Sequence, residues 1–442
     1  MKVTTISAAF PCIIICPMSR WQRIFDIVLL FLIGSLLLSS STALAEKTSE
    51  RVRAFTRMIE FDFDTWGRQA MSLKLGQAAL DAPRYMNEKQ QIMLVKLMLE
   101  KQSELDELES EIEQIYADPS QANPAKAAAT QLKQQAALQS QLDELAPIGE
   151  QILQGQVSAV LSELGFTLGG QPIPPVLYHV TPLPLALIVS PRSVIRQDAN
   201  IMLEPDLTLA QITALEGQVE ASGEYSALVT EVGGLGMYPT MVMRTNNFPF
   251  VVETIAHEWI HNYLTLRPLG WNYDTSPELR TMNETTASIA GKEIGDAVLR
   301  KYYPEYAPAL PEPAPAAEPS PNSNPTPTPE PQPAMFDFRA EMHTTRVTVD
   351  ALLAEEKIEE AERYMESRRK LFWENGYQIR RLNQAYFAFH GAYADTPGGA
   401  AGEDPVGPAV RALREQSPSL IAFVQKISRM NSFDQLTKAV SP

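Results

Sequence analysis

The sequence predicts an α+β chain that is mostly helical, and three observations predict it. Apolar residues recur at helical spacing over long, glycine-poor stretches on both sides of the chain's middle. Between residues 169 and 245 prolines multiply and short apolar runs alternate with turn residues, as strands do. Two further helical patterns follow directly, the first carrying His257-Glu258-Trp259-Ile260-His261 and the second Glu284. The division this implies is 1–45 (leader), 46–168 (helical), 169–303 (small sheet plus two helices), 304–334 (proline-rich insert) and 335–442 (helical).

Arg20 and Arg23 precede an apolar run from Ile24 to Leu38, and a small-residue stretch ends in Ala43-Leu44-Ala45. That is the three-part layout of a secretory signal peptide with its cleavage site before Glu46. The same run, extended by its uncharged tail, is the alternative of a retained membrane anchor. Either way the body is expected outside the cytoplasm, secreted or in the cell envelope.

From Lys47 to Phe166 the chain reads as helix. Leu105, Leu108, Ile112 and Ile115 form a seam that Asp118-Pro119 and Asn123-Pro124 interrupt, and Leu138, Leu142 and Leu145 resume it. This predicts an antiparallel hairpin, either packed on the body or presented to a protein partner. Strands are expected at Leu185–Val189, within Ser193–Leu203, at Tyr225–Val229 and at Met237–Met243, the last as an edge strand because of Pro239. The prolines from 304 to 334 cannot bury enough apolar surface to fold and predict a disordered insert. From Arg346 one apolar stripe (Val349, Leu352, Leu353, Ile358, Ala361, Met365) predicts a single helix ending at Asn375-Gly376. A second helix is expected to carry Tyr377 to Tyr393, Thr396–Gly402 to be a flexible lid, and two short helices to close the chain.

Residues i and i+4 share a helix face, so His257 and His261 can grip one metal ion with Glu258 beside it as a general base. The helix is otherwise uncharged where it must pack (Thr254, Ile255, Trp259, Ile260, Tyr263). Catalytic zinc needs a third protein ligand and one open position. Glu284, among Met282, Ala287, Ile289 and Ala290, is the candidate. The pair of motifs, HExxH followed by Asn283-Glu284-Thr285-Thr286-Ala287, resembles the gluzincin metallopeptidases. That resemblance spans about Thr254 to Ser288 and implies a zincin-like core. It also implies one Zn2+ per chain on His257, His261 and Glu284, with Glu258 as base and proton shuttle. An oxyanion donor from a later helix is implied too, for which Tyr386, His390 and Tyr393 are the candidates. The resemblance is to the broad group. The Gly-x-Met-Glu-Asn exopeptidase motif is absent, and Ser288 stands where thermolysin-like enzymes place an aspartate.

The function this predicts is an exported zinc metallopeptidase acting on peptides or proteins. Its rival is a non-catalytic envelope scaffold that works through the hairpin and keeps the zinc site only for structure. A formal net charge of −16 argues against nucleic acid as a partner. Both cysteines, Cys12 and Cys16, lie in the leader, so no thiol chemistry is expected in the body. His179 reads as structural, and His343 is a weaker site candidate.

Overall fold

The computed structural model describes Leu29 and residues 48–117, 123–309 and 336–441. It divides into Met1–Arg51 and Val52–Pro442, and the second unit holds the architecture below apart from the first turn of α1. Apart from Leu29, the expected leader lies outside the described residues, as does the expected insert from residue 310 onward. No helix among the described residues is long and apolar enough to cross a membrane.

The chain is α+β and mostly helical, with two small sheets. Helices α1 (Thr48–Thr56), α2 (Phe63–Leu80), α3 (Glu88–Ala117) and α4 (Ala129–Glu163) make up the first region, and α3 and α4 pack on each other as the expected hairpin. Leu105, Leu108 and Leu142 are buried along the hairpin. Its base is not free: Val95, Leu99, Ile152, Leu153, Val157 and Leu161 belong to the main core.

Strand β1 (Tyr178–Val180) pairs in parallel with β6 (Thr240–Val242), and β5 (Gly234–Leu235) adds to β6 antiparallel. The expected edge at Met237–Met243 is therefore corrected. β6 is the central strand, because β1 satisfies one side of it and the chain doubling back through 233–236 satisfies the other. The second sheet has the order β3 (Ala199–Leu203), β2 (Leu185–Pro191), β4 (Tyr225–Thr230), all antiparallel. Leu187 and Val189 point to one face, against α5 (Leu209–Glu220), while Ala186 and Ile188 point to the other. Cover on both faces is why β2 reads as an unbroken apolar run rather than an alternation.

Helices α6 (Phe248–Thr265) and α7 (Pro277–Tyr302) form the most extensive helix pair. Asn247 caps α6 by accepting from the Phe250 amide, and Ser276 caps α7 by accepting from the Leu279 amide. Arg300 and Lys301 sit at the negative end of the α7 dipole. Ile255, Trp259 and Ile260 are buried on the back of α6, each worth roughly 1.5–3 kcal/mol of apolar burial. The Trp259 indole also donates to the Pro174 carbonyl oxygen at 2.8 Å.

The single helix expected from Arg346 is two, α8 (Phe338–Ala354) and α9 (Ile358–Glu374), broken where Glu356 takes φ 59°. Their stripes looked continuous because both helices fold onto one core: Val349 and Leu353 meet Ala361 and Met365. The next helix is only α10 (Gln384–His390). Arg380 and Arg381, upstream, are drawn onto the Glu216 and Glu220 carboxylates of α5, which holds that segment out of helix. The expected lid is tethered, with Arg339 donating to the Thr396 and Pro397 carbonyl oxygens and Arg346 to that of Ala400. Three helices rather than two close the chain: α11 (Val406–Gln416), α12 (Leu420–Ile427) and α13 (Phe433–Val440).

Candidate metal centre

Close packing of α6 on α7 creates the centre. A Cβ on Gly291 of α7 would lie 2.8 Å from the His257 Cα, and one on Gly295 would lie 3.1 Å from the Glu253 Cα. Side chains larger than hydrogen at these two positions would force the helices apart. With none there, Glu284 reaches both histidines. Its Oε2 lies 3.7 Å from His257 Nε2 and 3.5 Å from His261 Nε2, and the two Nε2 atoms are 3.1 Å apart. Ligands about 2.0–2.1 Å from one tetrahedral ion stand roughly 3.3 Å from each other. The three side chains form a cluster that could hold a metal ion.

Two further observations fit such an ion. Glu284 Oε2 is buried with no hydrogen-bond partner, a costly state that a cation at the focus of the three groups would relieve. His261 Nδ1 lies 2.8 Å from Asn283 Oδ1, which keeps a proton on Nδ1 and makes Nε2 the nitrogen that would bind the ion. The other oxygen of Glu284 accepts from the Tyr273 hydroxyl. Burial alone would raise the Glu284 carboxyl, but the nearby His261 and His257 imidazoles hold it well below the usual carboxylate range. Burial likewise opposes protonation of His261, and Glu284 overcomes it, raising His261 to about 9.

Glu258 is buried beside the triad and is not one of its ligands. Desolvation raises its carboxyl above the ordinary value, in spite of the neighbouring histidines. On one side, glycine backbone walls it in. A Cβ on Gly234 of β5 would come within 2.8 Å of Glu258 Oε1, and one on Gly236 within 3.0 Å of the His261 Cβ. Asn262 fastens this segment to α6 by donating to the Met237 carbonyl oxygen and the Thr240 hydroxyl.

A cleft of about 900 Å³ opens over the triad. Its walls include the glycine segment from 233 to 236, α6, α7, and Phe389, His390 and Tyr393 from the C-terminal region. Four glutamates (231, 253, 258 and 284) line it against a single arginine, Arg280, and no lysine. The Tyr393 ring is 6.3 Å from that of His257. Desolvation, then the charges of Glu284, Tyr273 and Glu258, push its hydroxyl well above the usual tyrosine value. Burial pushes His390 down to about 4, so it is neutral at pH 7. Tyr386 packs behind His390, ring centroids 4.3 Å apart, and does not line the cleft; burial raises it to about 12.

The fold thus gathers His257, His261, Glu258, Glu284, His390 and Tyr393 around one cleft and leaves Tyr386 behind it. His179 is held by Glu150 at 2.9 Å, and His343 lies 3.2 Å from Glu403, both away from the cleft. Sequence reasoning missed Tyr273, Arg280 and the two glycines against Glu258 and His261. Only Arg280 left a signal, standing one helical turn before Glu284 on the same face. No protein-family model, no curated protein and no solved structure matches the chain.

Proposed function

We propose that the chain is an exported zinc metallopeptidase that hydrolyses peptide bonds. A zincin-like arrangement would be formed by the small sheet with α6 and α7, and His257, His261 and Glu284 would hold the ion. The observation that carries this reading is the buried, unpartnered Glu284 oxygen facing two histidine nitrogens while a second carboxylate, Glu258, stands free beside them. The order of these residues matches the gluzincin pattern, and the leader motif supports export. Zinc at such a site supplies Lewis acidity toward a carbonyl and toward water.

The chain's own groups do the rest. Glu258, with its raised pKa, takes a proton from the attacking water and returns it to the leaving amine nitrogen. Tyr393 stays protonated at neutral pH and donates a hydrogen bond to the developing oxyanion. His390 carries no charge at pH 7 and lines the same wall. The 233–236 backbone bounds the side of the cleft next to Glu258, where an extended substrate strand can lie along β5.

The test is elemental analysis of the zinc-supplemented body from Glu46 onward, together with a peptide-library digest. One zinc per chain is expected, and it should be lost in Glu284→Ala. Glu258→Gln should keep the metal and lower turnover by about 10²–10⁴-fold. A Gln variant that turns over at the unsubstituted rate refutes the assignment of the base.

A further inference from the structure

Arg280 is buried, 7% exposed, and no other arginine among the described residues is buried as deeply. Several arginines elsewhere have carboxylate partners, while the half-buried Arg267 and Arg411 donate to backbone carbonyl oxygens. Arg380 and Arg381 pair with Glu216, Arg414 with Glu293 and Arg368 with Glu341. Among the described residues no carboxylate lies within ion-pair distance of Arg280. Its Nη1 donates to the Ala388 carbonyl oxygen at 2.8 Å and the guanidinium lies beside the neutral Tyr273 hydroxyl, while its Nε is buried with no partner. The nearby carboxylate of Glu284 is already committed to two histidines and Tyr273. A desolvated guanidinium left in this state is costly, and an anion arriving in the cleft would complete it. Its planar fork matches a carboxylate bidentately.

We propose that Arg280 anchors the free C-terminal carboxylate of the substrate, making this cleft an exopeptidase site that works from the C-terminal end. The proposal rests on the peptidase reading and adds its substrate class. Placement supports it. Arg280 precedes Glu284 by four residues on α7, about 6 Å along the helix axis. An extended residue spans about 3.3–3.6 Å, so a carboxylate on Arg280 leaves room for one or two residues before the scissile carbonyl reaches the triad. Away from the triad, Arg280 is the one cationic side chain of the lining and the remaining charged groups are acidic, so a chain end that leaves the metal to the scissile carbonyl has its register set at Arg280.

The experiment has two arms on the full chain supplemented with zinc. In the first, calorimetry on a Glu258→Gln background, which slows turnover, compares an N-acetylated dipeptide acid with its C-terminal amide. The acid should bind about 10- to 100-fold more tightly, and adding Arg280→Gln should abolish the preference. Equal binding of acid and amide overturns the proposal. So does a preference that survives R280Q, since the carboxylate would then sit on the metal. If R280Q fails to fold, R280K replaces it, with a reduced preference expected and an unchanged one overturning the idea. In the second arm the unsubstituted protein digests peptides with free or amidated C-termini. Release of one or two C-terminal residues from the free acids alone supports the anchor. Equal cleavage of both refutes the anchor and keeps the peptidase reading. Acid-selective binding without hydrolysis of any peptide refutes the peptidase reading and keeps the anchor.

Discussion

Asn283 decides which nitrogen of His261 is available. Its side-chain oxygen is 2.8 Å from Nδ1, and its own amide donates to the Leu269 carbonyl oxygen, which fixes its orientation. Removing it in Asn283→Ala frees the imidazole to rotate and to change tautomer. Metal affinity should fall about 10- to 100-fold, measured by competition with a chromophoric chelator, while the far-ultraviolet circular dichroism stays unchanged. Unaltered affinity would mean that packing alone orients His261. At this scale the triad was legible because i, i+4 spacing and a neighbouring carboxylate are local facts of one helix, and the motif that pointed to Glu284 includes Asn283. Tyr273 was not legible. It comes from the loop between the two helices, and its hydroxyl meets Glu284 only once α7 has turned back on α6. Arg280 left only its i, i−4 spacing from Glu284 as a signal, because an arginine on a helix says nothing of burial until its neighbours are known.

The elements differ in how firmly they hold the site. Gly291 lets α7 lie against the α6 backbone, so Gly291→Ala should cost roughly 1–3 kcal/mol and lower the melting temperature. Gly76 of α2 is the control, since a Cβ there meets nothing within 4 Å; Gly76→Ala should stabilise by about 0.5–1 kcal/mol. Equal effects at the two positions would deny that helix contact sets the geometry. The C-terminal wall is pinned at Glu216, whose carboxylate accepts from Arg380, Arg381 and the Val229 amide. Burial works against its ionisation, and those partners win, so its folded pKa lies below the ordinary 4.5. A carboxyl depressed by folding stabilises fully above about pH 4.5 and loses that contribution as pH falls through its folded value. Glu216→Gln should therefore cost about 1–3 kcal/mol at pH 7 and flatten the acid limb of the stability profile, followed by thermal melts from pH 7 to 3. A variant as acid-sensitive as the unsubstituted chain would place the sensitivity elsewhere. Helix periods announced most of these elements. The break at Glu356 escaped because α8 and α9 present matching stripes to one core, and the sheet order escaped because pairing partners are set by contacts remote in sequence.

Taken whole, one continuous core joins the base of the N-terminal hairpin, α6, α7 and the three closing helices: Val157, Trp259, Val298, Val410 and Phe423 belong to it together. The hairpin's root and the cleft's floor are thus parts of the same packed body. The cleft's carboxylates, four against a single guanidinium, also have a kinetic meaning. A pocket whose charged lining is mostly of one sign focuses its field outward and draws in counter-ions faster than chance collision would deliver them. Capture of a divalent cation by the metal-free chain should accordingly be fast in dilute buffer and slow markedly as added salt shortens the screening length from about 10 Å at 0.1 M to about 3 Å at 1 M. Stopped-flow mixing with a fluorescent zinc indicator reads this directly, and a rate indifferent to salt would refute it. Scarce metal would then be won by speed of arrival as well as by tightness of grip, and a polyanion would meet the opposite treatment at the same door.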